Sequence, residues 1–335
     1  MVFNLLYLFI LIPIVFGQEI GQFPTKIFRP TEHHGSAKTY CSVQSINGIM
    51  YFGNQEGVLE YDGNRWRSIS INGERSVRSL TLGNDSLIYV GAYNEFGYLK
   101  ENSEQVLTYH SLSEQIKHLP FEDIWQVEQT SHGIFFRSKT YLFLWDGTTV
   151  HSFSKGLPDN HHNRFTNLTQ MNKSILVYSV YYGIEKLENG QFNKAPFADV
   201  FKHQVIQGFF PHEKNRATIV TYKGNYYTYS FDKLIKHPSD HIKEYIKKNR
   251  ISSVSKLSEN RIAVATHNGG VLITTRDGQI IETIDEDVGL SKDPIIHVSE
   301  DKTGNLWLTT PIGITYVHYK SHMSIFSEER GLRGI

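Results

Sequence analysis

Residues 295–319 read IIHVSEDKTGNLWLTTPIGITYVHY, and this stretch decides the fold of the chain. It is typical of three short strands separated by two tight turns, at residues 301–304 and 311–313. Gly304 and Gly313 suit these turns because glycine adopts a positive φ at little cost. Strands of five or six residues cannot bury both faces alone, so this unit is expected to pack against copies of itself.

Seven copies of this unit follow one another along the chain. Aligned on the second turn, their anchor positions are spaced by 40, 44, 42, 41, 46 and 43 residues. The anchors are Gly57, Gly97, Tyr141, Gly183, Gly224, Gly270 and Gly313. Tyrosine replaces glycine in the third copy, but Asp146 and Gly147 keep the register of Asp62 and Gly63 in the first. A period of about 43 residues with four strands per copy is typical of a β-propeller.

We therefore predict an all-β fold, a seven-bladed β-propeller of four-stranded antiparallel blades over residues 40–326. The register shared by seven copies disfavours the alternative, a β-sandwich that repeats by chance. The fourth strands of five copies are expected at residues 65–71, 106–109, 150–153, 279–284 and 323–326. Short helices are expected between blades at residues 113–119, 198–203 and 240–250.

Three further details complete the fold prediction. Asp240 is expected to be the N-cap of the last helix. Residues 295–298 are expected to line the propeller axis as the inner strand of the last copy. Whether residues 26–29 form an edge strand that completes the last blade stays open.

The two ends of the chain differ from the repeats. Residues 1–17 contain an apolar run that is too short to span a bilayer comfortably and resembles a secretory signal peptide. Because this segment has no Lys or Arg, an uncleaved anchor is the alternative. Residues 18–39 are expected to form a leader segment. Residues 327–335 resemble the start of a further repeat, which favours the front of a longer protein.

Composition excludes several kinds of site. Lys and Arg number 34, as do Asp and Glu, so this segment lacks the basic surface that nucleic-acid binding needs. The single cysteine, Cys41, cannot form an internal disulfide and is expected to be a buried apolar filler. The adjacent histidine pairs at 33–34 and 161–162 are expected to be surface residues, because neighbouring side chains point apart and chelate poorly. We assign no catalytic residue, metal or cofactor.

Three segments carry a family resemblance. Residues 289–317, GLSKDPIIHVSEDKTGNLWLTTPIGITYV, closely resemble the two-component regulator propeller repeat, and residues 49–69 and 153–165 resemble its first blade and inter-blade segment. One departure is Thr309, where the family usually has glycine. The resemblance implies a sensor domain on the periplasmic side of the inner membrane, within a membrane-anchored bacterial regulator. It also implies a second propeller, a triple-tyrosine domain, and a histidine kinase or helix-turn-helix output in the full-length protein.

A candidate ligand site lies on one face of the predicted propeller. In each blade the second turn and the inter-blade loop open on the same face, which holds Asn54, Gln55, Tyr182 and residues 160–162. Tyr, Asn and His suit a polyhydroxylated ligand, since aromatic faces stack on sugars while amides bond hydroxyls. Because few charges are involved, binding is expected to depend weakly on salt. The candidate ligand-binding residues are Tyr93, Asn94, Tyr181, Lys223, His267 and Asn268.

These observations favour a ligand-sensing domain of a bacterial transmembrane signal-transduction or transcription regulator. Its ligand is expected to be an oligosaccharide or a similar small polar molecule, and a homodimer is compatible with such a domain. One alternative is an exported propeller enzyme acting on polysaccharide, which would need paired carboxylates or a His/Tyr acid–base set at one mouth. The other is a passive protein-interaction propeller.

Overall fold

Seven four-stranded antiparallel sheets form the fold, which confirms the predicted seven-bladed β-propeller. The computed structural model describes residues 21–73, 75–156, 164–213 and 215–321. In six blades the strands follow in chain order from the axis outwards, because antiparallel neighbours need only short turns between them. The first strand of every blade lines a central channel.

Blades one to four contain sixteen strands. Blade one consists of β2 (Thr39–Gln44), β3 (Met50–Asn54), β4 (Gly57–Tyr61) and β5 (Trp66–Ile69). Blade two consists of β6 (Val77–Leu82), β7 (Ile88–Ala92), β8 (Glu95–Glu101) and β9 (Leu107–Ser111). Blade three consists of β10 (Gln126–Thr130), β11 (Gly133–Arg137), β12 (Tyr141–Trp145) and β13 (Val150–Ser154). Blade four consists of β14 (Phe165–Met171), β15 (Ser174–Ser179), β16 (Gly183–Glu188) and β17 (Gln191–Lys194).

The remaining three blades contain twelve strands. Blade five consists of β18 (Ile206–His212), β19 (Arg216–Thr221), β20 (Tyr226–Tyr229) and β21 (Leu234–His237). Blade six consists of β22 (Ile251–Lys256), β23 (Arg261–Thr266), β24 (Val271–Thr275) and β25 (Ile280–Ile284). Blade seven consists of β26 (His297–Glu300), β27 (Leu306–Thr310), β28 (Gly313–Val317) and β1 (Thr25–Phe28).

The first strand in the chain closes the ring. β1 pairs antiparallel with β28, with Thr25 opposite Val317 and Phe28 opposite Ile314. The sequence predicts a further strand at residues 323–326, which lie outside the described part of the chain, and leaves open whether residues 26–29 complete the last blade. Because β1 occupies this edge, residues 323–326 are not its fourth strand, and the open question is answered in favour of the first strand. Both ends of the propeller therefore share one sheet, so opening the ring would break a strand pairing.

The helices lie between blades or before the first one. They are α1 (Pro30–His33), the 3₁₀ turns at Ser113–Ile116 and Glu286–Val288, α2 (Ala198–Phe201) and α3 (Asp240–Asn249). The N-cap of α3 is Ser239, not Asp240 as expected from the sequence. His33 is buried in α1 against the Trp66 ring, so the prediction of a surface histidine is wrong there, whereas His34 is exposed.

Two sequence registers need correction. In blade two the strand after the second turn begins at Glu95, which pairs with Ala92, so the anchor Gly97 is the third residue of β8. Glycine is needed there for close packing, since a Cβ atom would lie 2.0 Å from the carbonyl oxygen of His110. In blade seven the inner strand is β26, two residues later than the predicted residues 295–298, although Ile295 is buried.

The hydrophobic core lies between neighbouring blades. Trp307 packs against Phe28, Phe52 and Tyr61, so it faces blade one. Cys41 is buried in the core between blades one and two, which confirms its role as an apolar filler, and burial raises the pKa of its thiol to about 12. Side chains from two sheets thus interdigitate at each interface, as in stacked β-sheets.

A β-bulge recurs at the start of the inner strands. In five blades the register between the first and second strands shifts by one residue at the second position of the inner strand. A bulge leaves one residue unpaired and re-aims its side chain. Four of the bulged residues line the channel: Tyr40, Arg78, Thr166 and Gln207.

Candidate functional site

The central channel forms a cavity with a volume of about 870 Å³. Inner strands of all seven blades line it, from Tyr40 in blade one to Glu300 in blade seven. A cavity of this size can hold a small polar ligand. The sequence prediction concentrates on the loops above the channel and assigns no channel residue.

The turns between second and third strands and the inter-blade connections open on one face, which we call the loop face. Backbone hydrogen bonds join the two kinds of loop: Tyr93 donates to Ser76 (3.0 Å), Tyr222 to Val205 (2.7 Å) and His267 to Arg250 (3.0 Å). The shared face expected from the repeat pattern is therefore present. The turns between first and second strands lie at the other end of the inner strands.

The six predicted ligand residues lie on the loop face of four different blades. Tyr93 and Asn94 belong to blade two, Tyr181 to blade four, Lys223 to blade five, and His267 and Asn268 to blade six. All are exposed except the half-buried His267. The Tyr181 ring meets the Tyr182 and His203 rings edge-on, with centroids 5.0 and 6.0 Å apart. Whether these residues bind a ligand stays a prediction.

Other residues that the sequence places on this face have structural contacts. Asn54 is buried, and its side chain donates to the Ser36 carbonyl (2.6 Å) and accepts from the Ser36 amide (3.1 Å), so it holds the chain entering blade one. The Tyr182 ring lies 3.9 Å from the ammonium of Lys155, which pairs with Glu185. Gln55 is exposed, and residues 160–162 lie outside the described residues.

Two of the predicted residues are joined to the mouth of the channel. Tyr93 forms a β-bridge with Asp123, and the Asn94 amide donates to the Glu122 carbonyl (3.1 Å). The Ile124 amide donates to the carbonyl of Ala92 (3.0 Å). This segment leads directly into the inner strand of blade three, so the turn of blade two is fixed beside the channel mouth.

At that mouth, Tyr40, Arg78, Asp123, Trp125 and Lys139 form what we call the mouth cluster. The Arg78 guanidinium carbon lies 4.2 Å from the Tyr40 ring centroid and 5.5 Å from that of Trp125. Its Nε donates to Asp123 Oδ1 (2.8 Å), and the ammonium of Lys139 lies 5.6 Å from the Trp125 centroid. The Trp125 side chain is nevertheless 42% exposed. An exposed indole with cations beside it can stack on a ligand and attract negative charge.

The charge of Arg78 is maintained by its acidic partner. Burial opposes the charged form, but the hydrogen bond and negative charge of Asp123 outweigh it, so the pKa of Arg78 is raised. The mouth cluster is not among the residues predicted from the sequence. One signal was present in the sequence, since Arg78 lies at the start of an inner strand, where a basic residue is unexpected in a packed core.

Two titratable groups in the channel wall have shifted pKa values. Burial raises the pKa of Glu128 to about 7, and its hydrogen bond from Gln126 and the positive Lys256 offset this only in part. Burial also lowers the pKa of His297 to about 4. Shifted groups in a cavity are candidates for a functional role, although structural burial produces the same shifts.

No group of three or more His, Cys, Asp or Glu side chains is arranged to hold a metal ion in the described ranges. Within those same residues, no helix has the length and apolarity needed to cross a membrane.

The fold is similar to several solved propellers. The extracellular domain of the putative hybrid two-component system BT4673 from B. thetaiotaomicron matches with a TM-score of 0.66 and 17% identity, over 90% of this chain and 40% of that one. Streptogramin B lyase matches with a TM-score of 0.66 and 14% identity, over 89% of this chain and 98% of the lyase. The WD40 propeller domain of Doa1 matches with a TM-score of 0.65 and 11% identity, over 92% of this chain and 98% of that domain.

These identities establish similarity of fold alone. No family model matches the sequence. No curated protein matches it either. This chain spans about 40% of the length of the BT4673 domain. The structural neighbours thus include both extracellular domains of two-component systems and an enzyme, so the fold alone does not decide the function.

Proposed function

We propose that this chain is the ligand-sensing propeller of an exported, membrane-anchored bacterial signal-transduction or transcription regulator. The observation that carries the proposal is the mouth cluster, an exposed aromatic and charged group where the loop face meets a channel of about 870 Å³. Its ligand is an oligosaccharide or a similar polar molecule. A second propeller and a triple-tyrosine domain of the same full-length protein are the proposed partners that receive the signal on the periplasmic side.

Three observations support this function. The resemblance of residues 289–317 to a two-component regulator repeat agrees with the structural likeness to the BT4673 domain. Trp125 and Tyr93 offer exposed rings on the same face, which suits stacking on sugar rings. The turn that carries Tyr93 is hydrogen bonded to the segment before Trp125, so both rings can contribute to one site.

Calorimetric titration of the chain against a panel of oligosaccharides tests the proposal. We expect at least one to bind, and the double variant Tyr93→Ala/Tyr181→Ala to bind it about tenfold more weakly, since two stacking contacts of about 0.5–1.5 kcal/mol each are removed. The melting temperature should hardly change, because both rings are exposed. Ile46→Ala, an exposed apolar residue at the opposite end of the inner strand, is the control. Equal binding by the double variant, or no binding across the panel, would contradict the proposal.

A polysaccharide-cleaving enzyme is the second candidate, because of the likeness to streptogramin B lyase and the shifted pKa values of Glu128 and His297. Such an enzyme would use these two groups as its acid–base set. The discriminating assay follows product formation from each oligosaccharide that binds. Turnover abolished in Glu128→Gln or His297→Gln would favour the enzyme, whereas binding without turnover favours the sensor.

A further inference from the structure

Arg137 is a buried cation in the channel wall, and no acidic partner for it exists among the described residues. It ends β11, is only 7% exposed and lines the channel. Its Nε donates to Gln126 Oε1 (3.2 Å) and its Nη1 to the Phe165 carbonyl (2.8 Å). Arg261, buried to the same degree, is by contrast paired with Glu300 at 2.9 Å.

Burying a charge without a partner is costly, so Arg137 is unusual. Desolvation lowers the pKa of its guanidinium to about 9, yet the group stays protonated at neutral pH. Both bonds that Arg137 makes to the described residues go to neutral oxygens, from Nε and Nη1. Nη2 donates to none of these residues, so three of the five N–H groups, two on Nη2 and one on Nη1, are left for a ligand in the channel.

The acidic side chains nearest to Arg137 along the hydrogen-bond network do not neutralise it. Gln126 lies between Arg137 and Glu128, since its carbonyl accepts from Arg137 while its amide nitrogen lies 3.4 Å from Glu128 Oε2. Glu128 lines the channel, and because desolvation raises its pKa to about 7, its carboxyl is only partly ionised at neutral pH. Arg78 forms an ion pair with Asp123, and Lys139 forms one with the exposed Glu122 (3.3 Å). Of these three cations, Arg137 is therefore the one without a carboxylate partner among the described residues.

We propose that the channel mouth binds the carboxylate of an acidic saccharide, with Arg137 as its ion-pair partner and Trp125 beside the sugar ring. This inference rests on the proposed sensor function and specifies the class of its ligand. A guanidinium suits a carboxylate because its N–H donors form a planar fork. An acidic ligand also changes the expectation of weakly salt-dependent binding, because a ligand held by an ion pair binds more weakly as ionic strength rises.

The test uses two uronate-bearing probes, trigalacturonate and a hyaluronan tetrasaccharide, each with its methyl-esterified, uncharged counterpart. Calorimetric titration of the unaltered chain should show at least one acid binding at least about tenfold more tightly than its ester, as expected for a charge-assisted hydrogen bond. Arg137→Met should remove this preference, while the lost hydrogen bonds to Gln126 and Phe165 and the removed cost of an unpaired buried charge change the stability in opposite directions. Arg67→Met is the matched control, since it removes one positive charge from an exposed arginine in the outer strand of blade one.

The outcomes separate this inference from the proposed function. If neutral oligosaccharides bind on the loop face and neither acid does, or if acid and ester bind equally, the Arg137 inference is wrong and the sensor proposal stands. If acid binding survives unchanged in Arg137→Met, the carboxylate is held elsewhere and the inference is wrong. If neither acids nor neutral oligosaccharides bind, both proposals fail. Should Arg137→Met not fold, the comparison of acid with ester and its salt dependence still decide the question on the unaltered chain.

Discussion

Replacing Trp307 by alanine tests how the propeller ring is held closed. Trp307 is 4% exposed. The centroid of its indole ring lies 5.9 Å from the ring centroid of Phe28, 5.3 Å from that of Phe52 and 4.5 Å from that of Tyr316. A tryptophan buries about 200 Å², which at about 25 cal/mol per Å² gives an upper limit of about 5 kcal/mol. Aromatic-to-alanine changes in cores cost about 3–5 kcal/mol, so we expect a loss in that range.

Urea unfolding followed by circular dichroism measures the loss. The control is Trp125→Ala, which deletes the same side chain at a site that is 42% exposed, and it should cost less than about 1 kcal/mol. A loss below about 1 kcal/mol for Trp307→Ala would show that the residue is not buried between blades seven and one. In a double-mutant cycle, Phe28→Ala and Trp307→Ala should couple by about 0.5–1.5 kcal/mol, because the two rings stack. Absence of coupling would contradict closure of the ring by β1.

Two further substitutions have defined outcomes. Thr309→Val should raise the free energy of unfolding by about 1 kcal/mol, because the Thr309 hydroxyl is buried without a hydrogen-bond partner among the described residues; a lower melting temperature would show that it has one. The unaltered protein should lose stability as the pH rises from 4.5 to about 7, because the Glu128 carboxyl, with its raised pKa, keeps in the folded state a proton that it releases in the unfolded state. Glu128→Gln should abolish this loss. His297, whose pKa is lowered from 6.5 to about 4, makes stability rise with pH in both proteins. The measurement is therefore the difference in melting temperature between the two proteins as a function of pH. Identical profiles would contradict the shift at Glu128.

The blades could be predicted because their signals are local. Each consists of short apolar strands joined by tight turns, and seven copies in register leave few alternative architectures. Ring closure has no local signal, since β1 pairs with a strand almost the whole chain away. Gly97 shows a second limit, because a glycine required for close packing looks in sequence like a glycine required for a turn.

The candidate site was predicted less completely. Residue type suggested the loop tips, but only Tyr93 and Asn94 are hydrogen bonded to the segment that carries the mouth cluster. Bulges direct Tyr40 and Arg78 into the channel, and a bulge depends on pairing rather than on composition. Arg137 looks like an ordinary strand-end residue in the sequence. Its significance lies in the absence of a carboxylate among its described neighbours, which only the fold can show.

Hydrogen–deuterium exchange with and without the tightest-binding oligosaccharide tests the central claim most directly, because it locates the ligand without substituting any residue. We expect slower exchange on binding in peptides that cover residues 93–94, 122–126 and 137–140 of the loop face. Peptides at the opposite end of the inner strands, covering residues 45–49, 83–87 and 301–305, should exchange as before. Slower exchange confined to those opposite turns or to the outer strands would contradict a ligand site at the mouth of the channel on the loop face.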